Sequence, residues 1–222
     1  MAHTHKMLLW GTLVTLLLSL IPYADYLTWP LRLMVTYIHE GWHALATVLT
    51  GGTVRGVEVV PQGSGSTITQ GGIGIVISSA GYLGTMFTGT AMLVLLRRGF
   101  PARRLLAGLA IAVGLVTSAA LGSLFTLAVG IGLTLVLAVA SNRLPRAGAS
   151  FAAGFVGIQC GLNAMYDLKT LFVLSYATDL HTDAMNMQEA TMIPAIVWAT
   201  LWFGMGIAMV WRMLIIPMMR NR

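Results

Sequence analysis

Long apolar runs separated by short polar or basic breaks set the pattern of this chain. The first run extends from Met7 to about Tyr26, and a link through Trp29-Pro30 leads to a second, about Leu31 to Thr50. Later runs cover about Ile73 to Leu96, Leu105 to Ala120, Leu121 to Ala140 and Ser150 to Tyr176, with a last one from near Thr191 to before Arg212. Crossing a bilayer core of about 30 Å takes roughly 20 apolar residues, so the pattern predicts membrane-spanning helices. The first run lacks a small-residue cleavage site before Pro22-Tyr23 and reads as a retained span rather than a signal peptide.

One stretch breaks the helical pattern. After Gly51-Gly52, a helix-stopping pair, residues Val54 to Val60 partly alternate between apolar and polar. Pro61 to Gly65 is turn-like, and Ser66-Thr67-Ile68-Thr69-Gln70 can pair back, which predicts a β-hairpin over about 53–72. The fold class expected is therefore an all-α polytopic membrane protein with a short β-hairpin. Seven transmembrane helices are predicted, or six if the two short central runs form one re-entrant element. The chain reads as a single domain, 1–222, with a core over 31–202.

Composition agrees. Of 222 residues, 57% are hydrophobic and 9% charged, against roughly 25% charged in soluble domains. The net charge of +6 comes without a basic stripe interleaved with aromatics, which argues against nucleic acid as a partner and leaves the lipid bilayer. Basic residues instead sit at the ends of apolar runs, as in Arg97-Arg98, Arg103-Arg104 and Arg143 with Arg146. With seven spans, ten of the thirteen Lys and Arg fall on one side, placing the N-terminus outside and the C-terminus in the cytoplasm, in the cell membrane. Cys160 is the only cysteine, so no intrachain disulfide forms, and it reads as a small apolar helix residue.

The candidate chemistry lies in the second run. His39-Glu40-Gly41-Trp42-His43 puts two histidines four apart on one helical face, with a glutamate beside the first. Two neutral imidazoles at that spacing bind zinc, and the carboxylate takes a proton from water. Ionisable groups in a membrane helix are costly and usually functional, which favours this reading over histidines that merely pack. Glu40 is the candidate general base, and His39 and His43 are the candidate metal ligands.

A third ligand must come from elsewhere. Asp167 is the only carboxylate well inside a later apolar run, and Asn163 lies four residues before it on the same helical face. Asp183, in His181-Thr182-Asp183-Ala184, is the alternate, because it could open the last helix and point back; His181 stays open behind both. Asn163, or a polar group near Ser78-Ser79, is the candidate oxyanion or substrate contact. Small residues in Ser78-Ser79-Ala80-Gly81-Tyr82-Leu83-Gly84 suit either close helix packing or the lining of the site.

Taken in order, His39 to Ala44, Gly51-Gly52 with its hairpin, Ala80 to Gly84, Asn163 to Leu168 and Thr182-Asp183-Ala184 resemble the site-2 protease type of intramembrane zinc metalloprotease, in its compact B-like branch. The resemblance spans Leu31 to Trp202. It implies hydrolysis of peptide bonds in or near transmembrane segments of partner membrane proteins, with Zn2+ as cofactor. In that family the third ligand is an aspartate in a Leu-Asp-Gly context on a later core helix, and this chain has no such tripeptide. The competing functions are a non-catalytic membrane metal-binding protein, a metal transporter, and a pseudoprotease that binds membrane segments uncut. A transporter would carry ionisable residues along several spans, whereas this chain has a single focus.

Overall fold

A computed structural model describes residues 13, 25–120, 123–174 and 182–211, with backbone alone for 25–27, 163–174 and 210. Most of the first predicted span and the stretch from 212 onward lie outside the described residues. Among the described residues these elements follow in chain order: α1 (Asp25–Leu49), β1 (Thr53–Val59), β2 (Gly65–Gln70), α2 (Gly74–Arg97), α3 (Ala102–Ser118), α4 (Leu124–Arg143), α5 (Arg146–Leu174), α6 (Asp183–Thr191) and α7 (Ala195–Val210).

Helix α1 starts six residues earlier than the pattern predicts, running through Pro30 rather than breaking before it. The ring forfeits one helical hydrogen bond. The extension gains a tertiary one, because the Trp29 indole N–H donates to the Pro61 carbonyl at 2.6 Å. At its other end the helix closes in a Schellman arrangement: Gly52 N–H reaches Thr47 O at 2.8 Å and Gly51 N–H reaches Val48 O at 3.1 Å. Gly51 supplies the left-handed φ of 82° that this cap requires.

The predicted hairpin is present. Its strands pair antiparallel from Thr53 with Gln70 to Val59 with Gly65, with an irregularity between Val54 and Gly56. The outer edge of β1 is covered. Val57 N–H donates to Ala119 O at 3.0 Å, and Val59 exchanges hydrogen bonds with the Thr126 hydroxyl at 2.9 and 3.1 Å. The Tyr37 hydroxyl donates to the Thr126 carbonyl, so α1, α4 and β1 meet at one buried point. Among the described residues, the outer edge of β2 has no backbone partner.

The predicted count of seven or six transmembrane helices is overturned. Among the described residues only α2 and α4 are long and apolar enough to cross a membrane; α6 and α7, bent by 119° at a short break, make a third if they count as one. The reasons differ by helix. At 17 residues α3 spans about 25 Å, short of the hydrocarbon core. Helices α1 and α5 are long enough, but polar positions such as Arg32, Glu40 and Gln159 dilute their apolar character. The expected last span falls on α7, which begins only at Ala195 after a turn where Met192 takes a left-handed φ of 63°, and its 16 residues are too few on their own.

Two clusters hold the helices together. The larger joins Leu33 and Tyr37 of α1 to Leu106 and Val113 of α3, Leu137 of α4, and Ala153 and Cys160 of α5. Cys160 is fully buried, as expected of a small helix-packing residue. The smaller cluster joins Tyr82 of α2, Ala184 and Met187 of α6, and Trp202 of α7. On α3 and α4, Ile111, Leu115, Leu124, Leu135 and Val139 stand exposed, apolar positions suited to lipid.

Candidate metal centre

The site forms where α1, α2, α6 and β2 converge. One turn of α1 carries His39 and His43, whose Nε2 atoms lie 3.0 Å apart. From the first residue of α6, Asp183 brings Oδ2 to 3.1 Å from each of those nitrogens. Thr182 caps α6, its hydroxyl accepting from Met185 N–H at 3.3 Å, and Ala184 and Met187 are fully buried beneath it. The carboxylate is thus aimed by a capped and packed turn.

Close approach of α2 makes this possible. A Cβ on Gly81 would overlap the Nε2 atoms of both histidines, and one on Gly84 would run into the Trp42 ring. The small residues of this segment therefore serve both packing and site. His39 also meets Tyr82 edge-to-face at 4.8 Å, and Tyr82 stacks on Trp202 at 5.4 Å.

The hydrogen-bond pattern indicates what the cluster can hold. His43 Nδ1 lies 2.7 Å from the Ile77 carbonyl, which can only accept, so Nδ1 carries the proton. In the neutral ring Nε2 is then a lone pair, facing the Asp183 oxygen, a second acceptor, at 3.1 Å. A proton relieves one such pair; a cation relieves all three ligand atoms together. Three protein ligands of a tetrahedral zinc ion, with bonds of about 2.0–2.1 Å, stand about 3.3 Å apart. The observed triangle of 3.0–3.1 Å is close to that face. The donor set and the Ile77 carbonyl behind His43 both fit a metal site. Among the described residues this is the one group of three or more such ligands that could hold a metal ion.

Glu40 follows His39 on α1 and packs against β2. It is buried, at 3% exposure, and its Oε2 accepts from the Thr67 hydroxyl on β2 at 2.7 Å. A cavity of about 320 Å³ opens beside the cluster, with His43, Ser78 and Asp183 on one side and Thr67 and Thr69 of β2 on another. Asn186, one helical turn beyond Asp183, also lines it.

Asp167 and Asn163 fall within α5, in the part described by backbone alone, and His181 lies outside the described residues. Sequence reasoning passed over Thr67 and Asn186. The period-two pattern of 66–70 already puts Thr67 and Thr69 on one face, and Asn186 shares a helical face with Asp183.

A family model described as Peptidase M50B-like matches residues 9–213. The chain belongs to this family. The resemblance to the compact branch of site-2-protease-like enzymes is thereby borne out, and this M50B-like chain is an integral membrane protein of a metal-dependent peptidase family. No curated protein and no solved structure matches it.

Proposed function

We propose that this chain is a zinc-dependent intramembrane protease that cuts membrane-embedded segments of partner proteins. The observation that carries this reading is the His39–His43–Asp183 triangle beside the buried Glu40. His39, His43 and Asp183 would hold the metal. Asp183 is preferred to Asp167 because its oxygen lies within 3.1 Å of both imidazoles. When bound, zinc supplies Lewis acidity that polarises a carbonyl and makes water an effective nucleophile near neutral pH.

The remaining steps belong to the protein. Glu40 takes a proton from the attacking water and delivers it to the departing amine. Asn163 stays a candidate for contact with the substrate carbonyl. The cavity between β2 and α6 receives the scissile segment, and the outer edge of β2, without a backbone partner among the described residues, suits a substrate already unwound from its helix, since an extended peptide can add to an open strand.

The basic loops orient the site. Arg103 donates to the Leu144 carbonyl at 3.0 Å, which brings the α2–α3 and α4–α5 connections to one end of the molecule. We assign that end, with Arg97, Arg98, Arg143 and Arg146, to the cytoplasm. Gly81 precedes Arg97 by sixteen helical residues, about 24 Å. The site then lies in the outer half of the membrane.

The test is reconstitution of the chain in phospholipid vesicles with single-span membrane peptides. Cleavage should require zinc, and Glu40→Gln should abolish it while bound zinc per chain stays at the wild-type level. Cleavage that survives Glu40→Gln would sink the mechanism.

A further inference from the structure

The hairpin is pinned over α1 at several points. Besides the bond from Trp29 to Pro61 O, the Thr36 hydroxyl donates to the Gly63 carbonyl at 2.6 Å. The covered edge of β1 is held by Ala119 and Thr126. This fixes the height of β2 above the helix. At Gly65 the strand approaches so closely that a Cβ would stand 2.7 Å from Glu40 Oε1 and 2.8 Å from its Cγ. Two residues on, the same face of β2 presents Thr67.

The Thr67 hydroxyl has one hydrogen to give and two acceptors in reach, Glu40 Oε2 at 2.7 Å and the Glu40 carbonyl at 3.2 Å. The shorter contact goes to the carboxylate, where a bond to charge is stronger. With Oε2 tied and Gly65 packed against the other side, the carboxylate cannot rotate freely. Thr67 also lines the cavity shared with His43 and Asp183, so the tether lies at the edge of the reaction space.

We propose that Thr67 is the positioning residue of the general base: its hydroxyl holds Oε2 and so fixes the rotation of the Glu40 carboxylate. This deepens the hydrolase reading and rests on it. Valine keeps the shape and removes the donor; serine keeps the donor. A general base displaced by about 1 Å can lose on the order of 100-fold in rate.

The experiment compares wild type, Thr67→Val and Thr67→Ser in vesicles, on a fluorogenic single-span peptide, with bound zinc measured for each. Thr67→Val should keep its zinc and hold KM within about twofold, while kcat falls about 10- to 100-fold. Thr67→Ser should restore most of kcat. An unchanged kcat, a rise confined to KM, or failure of serine to rescue would each overturn the positioning role. A second readout needs no turnover. Melting temperatures of Thr67→Val, Glu40→Leu and the double variant should be non-additive, because the two groups share one bond; additive shifts would refute the tether. A wild-type chain that cleaves no such peptide, with zinc bound, refutes the hydrolase reading and the role of Thr67 in catalysis with it.

Discussion

Gly81→Ala puts the construction of the metal site to its sharpest test. The added Cβ would sit 2.6 Å from His39 Cε1, and would overlap both Nε2 atoms more closely still. Carbon atoms rest at about 3.5 Å, so the His39 ring must retreat by roughly 1 Å, or α2 must move off α1 by the same amount. Metal–ligand distances tolerate about 0.2 Å, so either response misplaces a ligand. Changes behind a metal ligand already cost about 10- to 100-fold in affinity, and direct displacement of a ligand should cost at least that. Overpacking adds about 1–3 kcal/mol of destabilisation. The assay is competition for zinc against a chelator of known affinity, with thermal unfolding alongside. Gly108→Ala is the control, since nothing lies within 4 Å of a Cβ there. It should leave zinc binding unchanged and favour the helix by up to about 1 kcal/mol. If Gly81→Ala binds zinc as tightly as wild type, the imidazoles do not meet the metal beneath α2 as described.

Two further substitutions probe the site and its support. Asp183→Asn should lose most of the bound zinc while Asp167→Asn retains it, as counted by metal analysis of the purified chain; the opposite pattern would return the third-ligand role to α5. Thr126→Val removes the fully buried hydroxyl that both donates to and accepts from Val59, stranding a backbone N–H and C=O. It should lower stability by about 1–3 kcal/mol, read as a fall in melting temperature.

Local chemistry was the most legible part of the sequence. The His39-to-His43 spacing, the Gly51-Gly52 stop and the alternation after it depend on residues near one another in the chain, and all appear as helix face, Schellman cap and hairpin. The number of spans did not carry through, because an apolar run records average polarity and not where a helix starts, bends or ends. Pro30 looked like a break, yet the helix continues because Trp29 finds the Pro61 carbonyl across the hairpin turn. Thr191 onward looked long enough to span, yet the chain turns at Met192 and the helix that follows, Ala195–Val210, has 16 residues. Thr67 was visible as a strand residue, but its bond to Glu40 depends on how high the hairpin rides above α1.

Asp183 shows why a search for polar residues inside apolar runs passes over the ends of helices. Such a search ranks Asp167 first, because a carboxylate in a long helix stands out against its neighbours. Asp183 opens a nine-residue helix of mixed polarity and stands out far less. Yet a short capped helix is well suited to present a carboxylate: the Thr182 cap fixes its start, and Ala184 and Met187 bury its underside. The side chain at its first position then projects from the end of the element, into the gap that Gly81 leaves above the two histidines. A ligand on the flank of a long helix can reach such a gap only if the whole helix packs alongside α1. The site is thus assembled from a helix middle, a helix end and a strand face, and only the first of these leaves a mark in the spacing of the sequence.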